Sequence, residues 1–284
     1  MTPAPYEQFE QQAEAAARAR YGKAQVPMFV VGVGAGALIG ALVAKNEKVG
    51  SGLAGAAIGA LLGIGLYFLL VTIKKQADAA ANYTAAWCAE HGWHVLGDGH
   101  EVHNGPHASK GHNPKWRDAL AGNVDGIDVL LYNFSYYTTE STGKSSHEEE
   151  HPFRILRLTG PPLPVQTLSF THRGMLGKIG LFDSLDSTFT QQRVIDLESV
   201  DFNEKFKLEV HDTADEIWIR RVFDPQTIDA LVRGDLRFPN IHYWDGCFWL
   251  WESDHYEARQ LDEMLVWELW GAEAIQHLAR VPSL

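Results

Sequence analysis

Two long runs without a charged side chain, residues 26–44 and 52–73, constrain this chain more than any other feature of its sequence. The first contains FVVGVGAGALIG, in which Gly32, Gly34 and Ala37 fit the G-x-G-x-x-G/A fingerprint of a dinucleotide-binding loop. Such a loop needs a strand that stops, a turn, and then a helix with a polar outer face. Here nothing stops, because no charged or strongly polar residue interrupts Val26 to Ala44. As helices the runs would be about 28 and 33 Å long, the scale of a bilayer's hydrocarbon core. The sequence therefore predicts a transmembrane hairpin over 26–75, with spans 26–44 and 52–73 joined by the short polar loop KNEKVGS.

The glycines repeat at helical spacing within both runs. Gly32, Gly36 and Gly40 fall on one face, as do Gly55, Gly59 and Gly63. Rows of this kind let helix backbones approach closely in lipid, either within one hairpin or between copies in a homo-oligomer. Arg18, Arg20, Lys23, Lys74 and Lys75 flank the outer ends, against Lys45 and Lys48 in the loop. By the positive-inside rule both termini are expected in the cytoplasm, the protein residing in the inner membrane. Residues 1–25 read as an Ala- and Glu-rich amphipathic helix and 76–92 as a linker helix, together extending the hairpin.

From about residue 93 the pattern changes to short strand-like runs separated by turn residues, giving an expected soluble α+β domain over 93–284 with a mostly antiparallel sheet. The expected strands are 127–139, 153–160, 165–172, 205–211 and 216–223. NIHYW and CFWLW form a hairpin around Asp245-Gly246. Asp224 and Pro225 open a short helix. A helix over about 256–278 presents Leu261, Leu265, Leu269, Ala272 and Ile275 to a core.

Charge divides along the same line. Of 24 basic and 36 acidic residues, seven bases and four acids lie within residues 1–75, leaving 17 bases against 32 acids beyond. An acidic globular part repels phosphate backbones, so nucleic acid is not an expected partner. Two cysteines, Cys88 and Cys247, supply no disulfide framework and no C-x-x-C.

The segment VIDLESVDFNEKFKLEV contains Leu197, Glu198 and Ser199, then Asp201, Phe202 and Asn203, then Phe206 and Leu208. With the upstream GNVDGIDVLLYNFSY and the closing HLARVP, it resembles a family of bacterial membrane proteins that carry a cytoplasmic domain of unknown function. The resemblance spans roughly 116–284 and implies transmembrane helices plus that domain. It implies no activity and no catalytic residue. On the residues alone, Asp201 and Asn203 suit a turn that Phe202 and Phe206 anchor.

Six histidines, His91, His94, His100, His103, His107 and His112, crowd one Gly- and Pro-containing tract. Imidazoles suit zinc, copper or nickel, yet the spacing fits no metalloenzyme signature, so no metal and no cofactor is assigned. The fragment TGKS lacks the earlier glycine of a phosphate loop, and no G-x-S-x-G is present. The functional expectation is a non-enzymatic binding or interaction module on a membrane tether, with a protein or small molecule as partner. A membrane-anchored metal enzyme built on the His91–His112 tract is the alternative.

Overall fold

The structure is a computed structural model that describes residues 6–21, 50–98, 111–124, 126–141, 146–173 and 191–281. It divides into two compact units, Met1–Trp87 and Cys88–Leu284.

In the first unit, α1 (Tyr6–Tyr21) runs antiparallel to α2 (Gly50–His91). Tyr6 and Phe9 meet the ring of Tyr83 edge-on at 5.3 and 5.6 Å, and Lys75 reaches back to Glu14 at 2.9 Å. Both pairings conserve the same antiparallel register. Ala13, Ala17 and Ala79 are buried, and their small side chains suit a close helix approach. The exposed apolar residues Leu61, Phe68, Leu69 and Ile73 fall at spacings that share one side of α2.

The expected hairpin is corrected here. Among the described residues no helix is long and apolar enough to cross a membrane. Span 26–44, with Gly32, Gly36 and Gly40, lies outside the described residues. Span 52–73 is no separate element, because α2 continues for 42 residues through the expected linker helix. Its second half is Ala-rich without Gly or Pro, and Lys74 pairs with Asp78 one turn on, so nothing ends the helix at Lys75. Gly55, Gly59 and Gly63 sit within α2, but their surroundings are not among the described residues. The two-helix transmembrane fold, the glycine zipper, the membrane tether and the inner-membrane location with cytoplasmic ends all rested on those spans and fall with them.

The second unit is built on one nine-stranded sheet, ordered β1-β2-β3-β4-β9-β8-β5-β7-β6, with every neighbouring pair antiparallel. The strands are β1 (His94–Gly97), β2 (His112–Val124), β3 (Ile127–Ser141), β4 (Ser146–Thr159), β5 (Thr167–His172), β6 (Gln192–Val194), β7 (Phe206–His211), β8 (Ile241–Trp244) and β9 (Cys247–Ser253). Among the described residues four α-helices accompany it: α3 (Val200–Lys205), α4 (Glu216–Val222), α5 (Pro225–Arg233) and α6 (Leu261–Ala279).

Register separates the two faces. On one, Leu158, Phe248, Leu250 and Phe170 lie under the helices. An added Cβ at Gly271 of α6 would come 2.6 Å from a Leu250 methyl, so glycine is what lets the helix settle on β9. Phe202, Phe206, Phe223 and Phe238 surround Phe170 with centroids 5.0–6.4 Å apart, an aromatic knot joining α3, α4 and β5. On the opposite face Tyr132, Phe134, Phe153, Ile155, Trp249 and Trp251 form a second buried cluster. There Arg157 lies over Trp249 at 5.5 Å and donates to Cys247 Sγ at 3.3 Å. His242 shares that face, and burial pushes its imidazole down to about 3, so it is neutral.

Two elements differ from expectation for clear reasons. Residues 216–222 form α4 rather than a strand, because Asp215 caps Ile217 N–H at 2.9 Å and Glu216 pairs with Arg220 one turn on. In α6 the buried positions are Leu261, Met264, Trp267, Glu268, Gly271, Ala272, Ala274, Ile275 and Leu278. Of the expected core positions Leu261, Ala272 and Ile275 are buried, Leu265 is half-buried and Leu269 is exposed, because the packing face runs through Met264, Trp267 and Gly271 instead.

Candidate functional site

The motif residues 197–206 hold the backbone in place. Ser199 Oγ accepts from Phe202 N–H at 3.2 Å and so caps α3. Asn203 closes the preceding turn twice over, accepting from Leu197 N–H at 3.1 Å and donating to Leu197 O at 2.7 Å. Leu197 and Phe202 are buried, while the exposed Glu198 reaches Arg220. Asp201 stands in the first turn of α3, where a negative charge favours the helix N-terminus. Thus the turn fixes where α3 starts, and the helix's last residues, Glu204 and Lys205, together with Phe206, form one wall of a pocket.

That pocket has a volume of about 630 Å³. Its other walls come from His172 at the end of β5, from Leu231 and Gly234 at the end of α5, and from the connection 236–240. Glu252 of β9 and Trp267 and Trp270 of α6 complete it. Each element is held by its own local chemistry. Helix α5 starts at Pro225 behind Asp224, whose carboxylate accepts Thr227 N–H at 2.8 Å and is thereby held below its usual range. It stops at Gly234, where φ is 80° and a side chain would be strained. Asp235 N–H then returns to Ala230 O at 2.9 Å and turns the chain into the pocket wall.

Polar groups around the pocket are largely committed. His172 Nε2 lies 2.8 Å from Phe238 O, and since a carbonyl only accepts, this nitrogen carries the proton. The backbone N–H of His172 donates to Asn240 Oδ1 at 3.0 Å. Arg154 binds Glu252 through both Nε, at 2.9 Å, and Nη2, while its guanidinium lies 5.9 Å from the Trp267 ring. Lys205 Nζ donates to Val232 O at 2.9 Å. Arg237 differs: its guanidinium lies 5.0 Å from the Trp270 ring centroid, and among the described residues no hydrogen bond or ion pair engages it.

Next to Trp267 on α6, Glu268 is fully buried with no hydrogen-bond partner for either oxygen among the described residues. Burial raises its carboxyl to about 8, so it is mostly protonated at neutral pH. A polar network lies nearby in the fold. Asn133 accepts from Tyr256 N–H at 2.8 Å, donates to Tyr256 O at 2.9 Å, and donates to Asp118 Oδ2 at 2.9 Å. Tyr256 in turn donates its hydroxyl to Asp118 O.

The histidine tract does not converge in the described residues. His100, His103 and His107 lie outside them, His91 ends α2, His94 is on β1, and His112 Nε2 is 3.2 Å from exposed Glu148. Among the described residues no group of three or more His, Cys, Asp or Glu could hold a metal. The anchored metal enzyme of the alternative reading therefore loses its anchor, while the central histidines of its tract lie outside the described residues. Both cysteines are buried free thiols, and burial pushes Cys88 up to about 11, which makes it a poor nucleophile.

Sequence reasoning missed the pocket. Its signals were the tryptophan pair at i and i+3 on α6, and the Arg-Phe-Pro-Asn run between a capped helix and a strand.

No protein-family profile matches the chain, and no curated protein matches it. The resemblance to bacterial membrane proteins thus rests on its motif residues alone. One solved structure of similar path is the crystal structure of the mycobacterial trehalose monomycolate transport factor A, TtfA. It is 10% identical, with a TM-score of 0.45, and the match covers 72% of this chain and 96% of that one. At that identity and score the likeness assigns neither function nor location.

Proposed function

We propose that the Cys88–Leu284 unit is a small-molecule-binding module and that the pocket between α3, α5, β9 and α6 is its site. The observation that carries the reading is the pocket itself: about 630 Å³, walled by Trp267, Trp270, Phe206 and Phe238 and edged by a few charged groups. Ligand sites are typically clefts of about 300–1,000 Å³ with apolar walls and a few convergent polar groups. The walls come from separately stabilised elements, so the site is formed before a ligand arrives and little ordering entropy opposes binding.

Binding is favoured over catalysis because the groups suited to proton transfer already have structural partners. His172 holds its Nε2 proton on Phe238 O, and Glu252 is clamped by Arg154. The ligand this wall suits is amphipathic, with an apolar face for the rings and a polar end for the charged rim. A thermal-shift screen of the full chain against small amphipathic molecules tests the reading. Binders should raise the melting temperature of the native chain and should do so far less in Leu236→Trp, which narrows the pocket at a partly exposed position. Hits indifferent to Leu236→Trp would place binding elsewhere and defeat the proposal.

A further inference from the structure

Resting on the binding reading of the pocket, we infer that its ligand is an aromatic monocarboxylate whose carboxylate is received by Arg237. The first observation is how that side chain stands. The protein carries a net charge of −12, and several of its guanidinium groups are committed to acids. Arg154 binds Glu252, Arg193 binds Glu216 and Ala214 O, Arg220 binds Glu198 and Glu216, and Arg233 binds Asp229 and Asp235. Arg237 binds none of these acids. It rests on Trp270 at 5.0 Å, exposed at the pocket rim. A contact with an indole uses none of the guanidinium N–H donors, and a guanidinium fork with free donors can receive a carboxylate bidentately.

The second observation is charge balance. Glu252 is compensated by Arg154, which leaves Lys205 and Arg237 against Glu204 and a net charge of +1 at the rim. One negative charge on the ligand completes the balance. A phosphate dianion would instead exceed that single positive charge, leaving one negative charge uncompensated beside Glu204. The third observation is the shape of the apolar wall. Trp267, Trp270, Phe206 and Phe238 are flat side chains, which match a planar ring system by offset or edge contacts better than a branched aliphatic body does.

The test uses the full chain and matched pairs of probes: 2-naphthoate with 2-naphthamide, and indole-3-acetate with indole-3-acetamide. Affinities are followed by ligand-observed NMR and calorimetry. Each carboxylate should bind about 10–100-fold more tightly than its amide, the scale of charge-assisted hydrogen bonds. Arg237→Gln should remove that preference while leaving amide affinity within about twofold, because the ring contacts remain. Phenyl phosphate should bind more weakly than either carboxylate. Equal affinity for acid and amide, or equal loss of both in Arg237→Gln, would overturn the carboxylate assignment while leaving a ring-binding pocket. Failure of all four probes at millimolar concentration, with the Leu236→Trp screen also silent, would overturn the pocket reading along with it.

Discussion

Replacing Glu268 by methionine should stabilise the protein, and the gain should grow with pH in a defined way. The carboxyl is fully buried with no hydrogen-bond partner among the described residues, and desolvation raises it from 4.5 to about 8. Between those two values the folded state holds a proton that the unfolded chain has released. Stability is therefore complete below about pH 4.5 and is lost as pH rises through about 8. Each pH unit in that window costs about 1.4 kcal/mol, so the full loss approaches 5 kcal/mol, with about 3 kcal/mol already lost at pH 7. These are upper bounds, since local opening can hydrate the carboxylate before global unfolding. Methionine has similar length and helix propensity, fills the same space and does not titrate. Below pH 4.5 the variant retains only a pH-independent gain of about 1–3 kcal/mol from removing an unsatisfied polar group. Urea unfolding of both proteins at half-unit steps from pH 4.5 to 8.5 gives the difference directly, and all other titrating groups cancel. A difference that stays flat with pH would mean that Glu268 is solvated or partnered, and the desolvation argument would be wrong.

Three further outcomes follow from named contacts. Asn133→Ala strands the backbone N–H and C=O of Tyr256 and should cost about 2–5 kcal/mol in denaturant unfolding. Asp224→Ala removes the cap of α5 and should cost about 1 kcal/mol above pH 4. Because the folded carboxyl is held below 3.8, that contribution is complete at neutral pH and disappears only on acidification through the folded value, which a pH series of unfolding midpoints would show. Gly122→Ala drives a methyl into the indole of buried Trp93 and should cost about 1–3 kcal/mol. A thermal midpoint unchanged from the native chain would refute that packing.

What could be read from the sequence was what local chemistry decides. Asp245-Gly246 marks the β8–β9 hairpin because both residues need positive φ, and they adopt 50° and 73°. Asp224-Pro225 marks α5 because cap and ring favour the same first turn. Strand β2 was hidden. It carries Pro114 and two register shifts, with Asn113 and Asp118 at positive φ, so its apolar residues do not alternate. Alternation misled at 216–222, where the Asp215 cap and the Glu216–Arg220 spacing outweighed the β-rich residues. The uncharged runs drew a membrane architecture from hydropathy alone, whereas α2 continues well beyond the second of them. The pocket was illegible for a different reason. Its residues come from β5, α3, β7, α5, the loop 236–240, β9 and α6, and only the sheet order brings them together.

Fluorine NMR of the full chain labelled with 5-fluorotryptophan tests the central claim most directly, since the nine tryptophans report on both faces of the sheet. Resonances are assigned by single Trp→Phe substitutions, and 2-naphthoate is then added. The account predicts shifts at Trp267 and Trp270, which line the pocket, and none at Trp249 and Trp251, which lie on the opposite sheet face. Shifts at Trp249 and Trp251 with Trp267 and Trp270 unmoved, or no shift at any tryptophan, would contradict it.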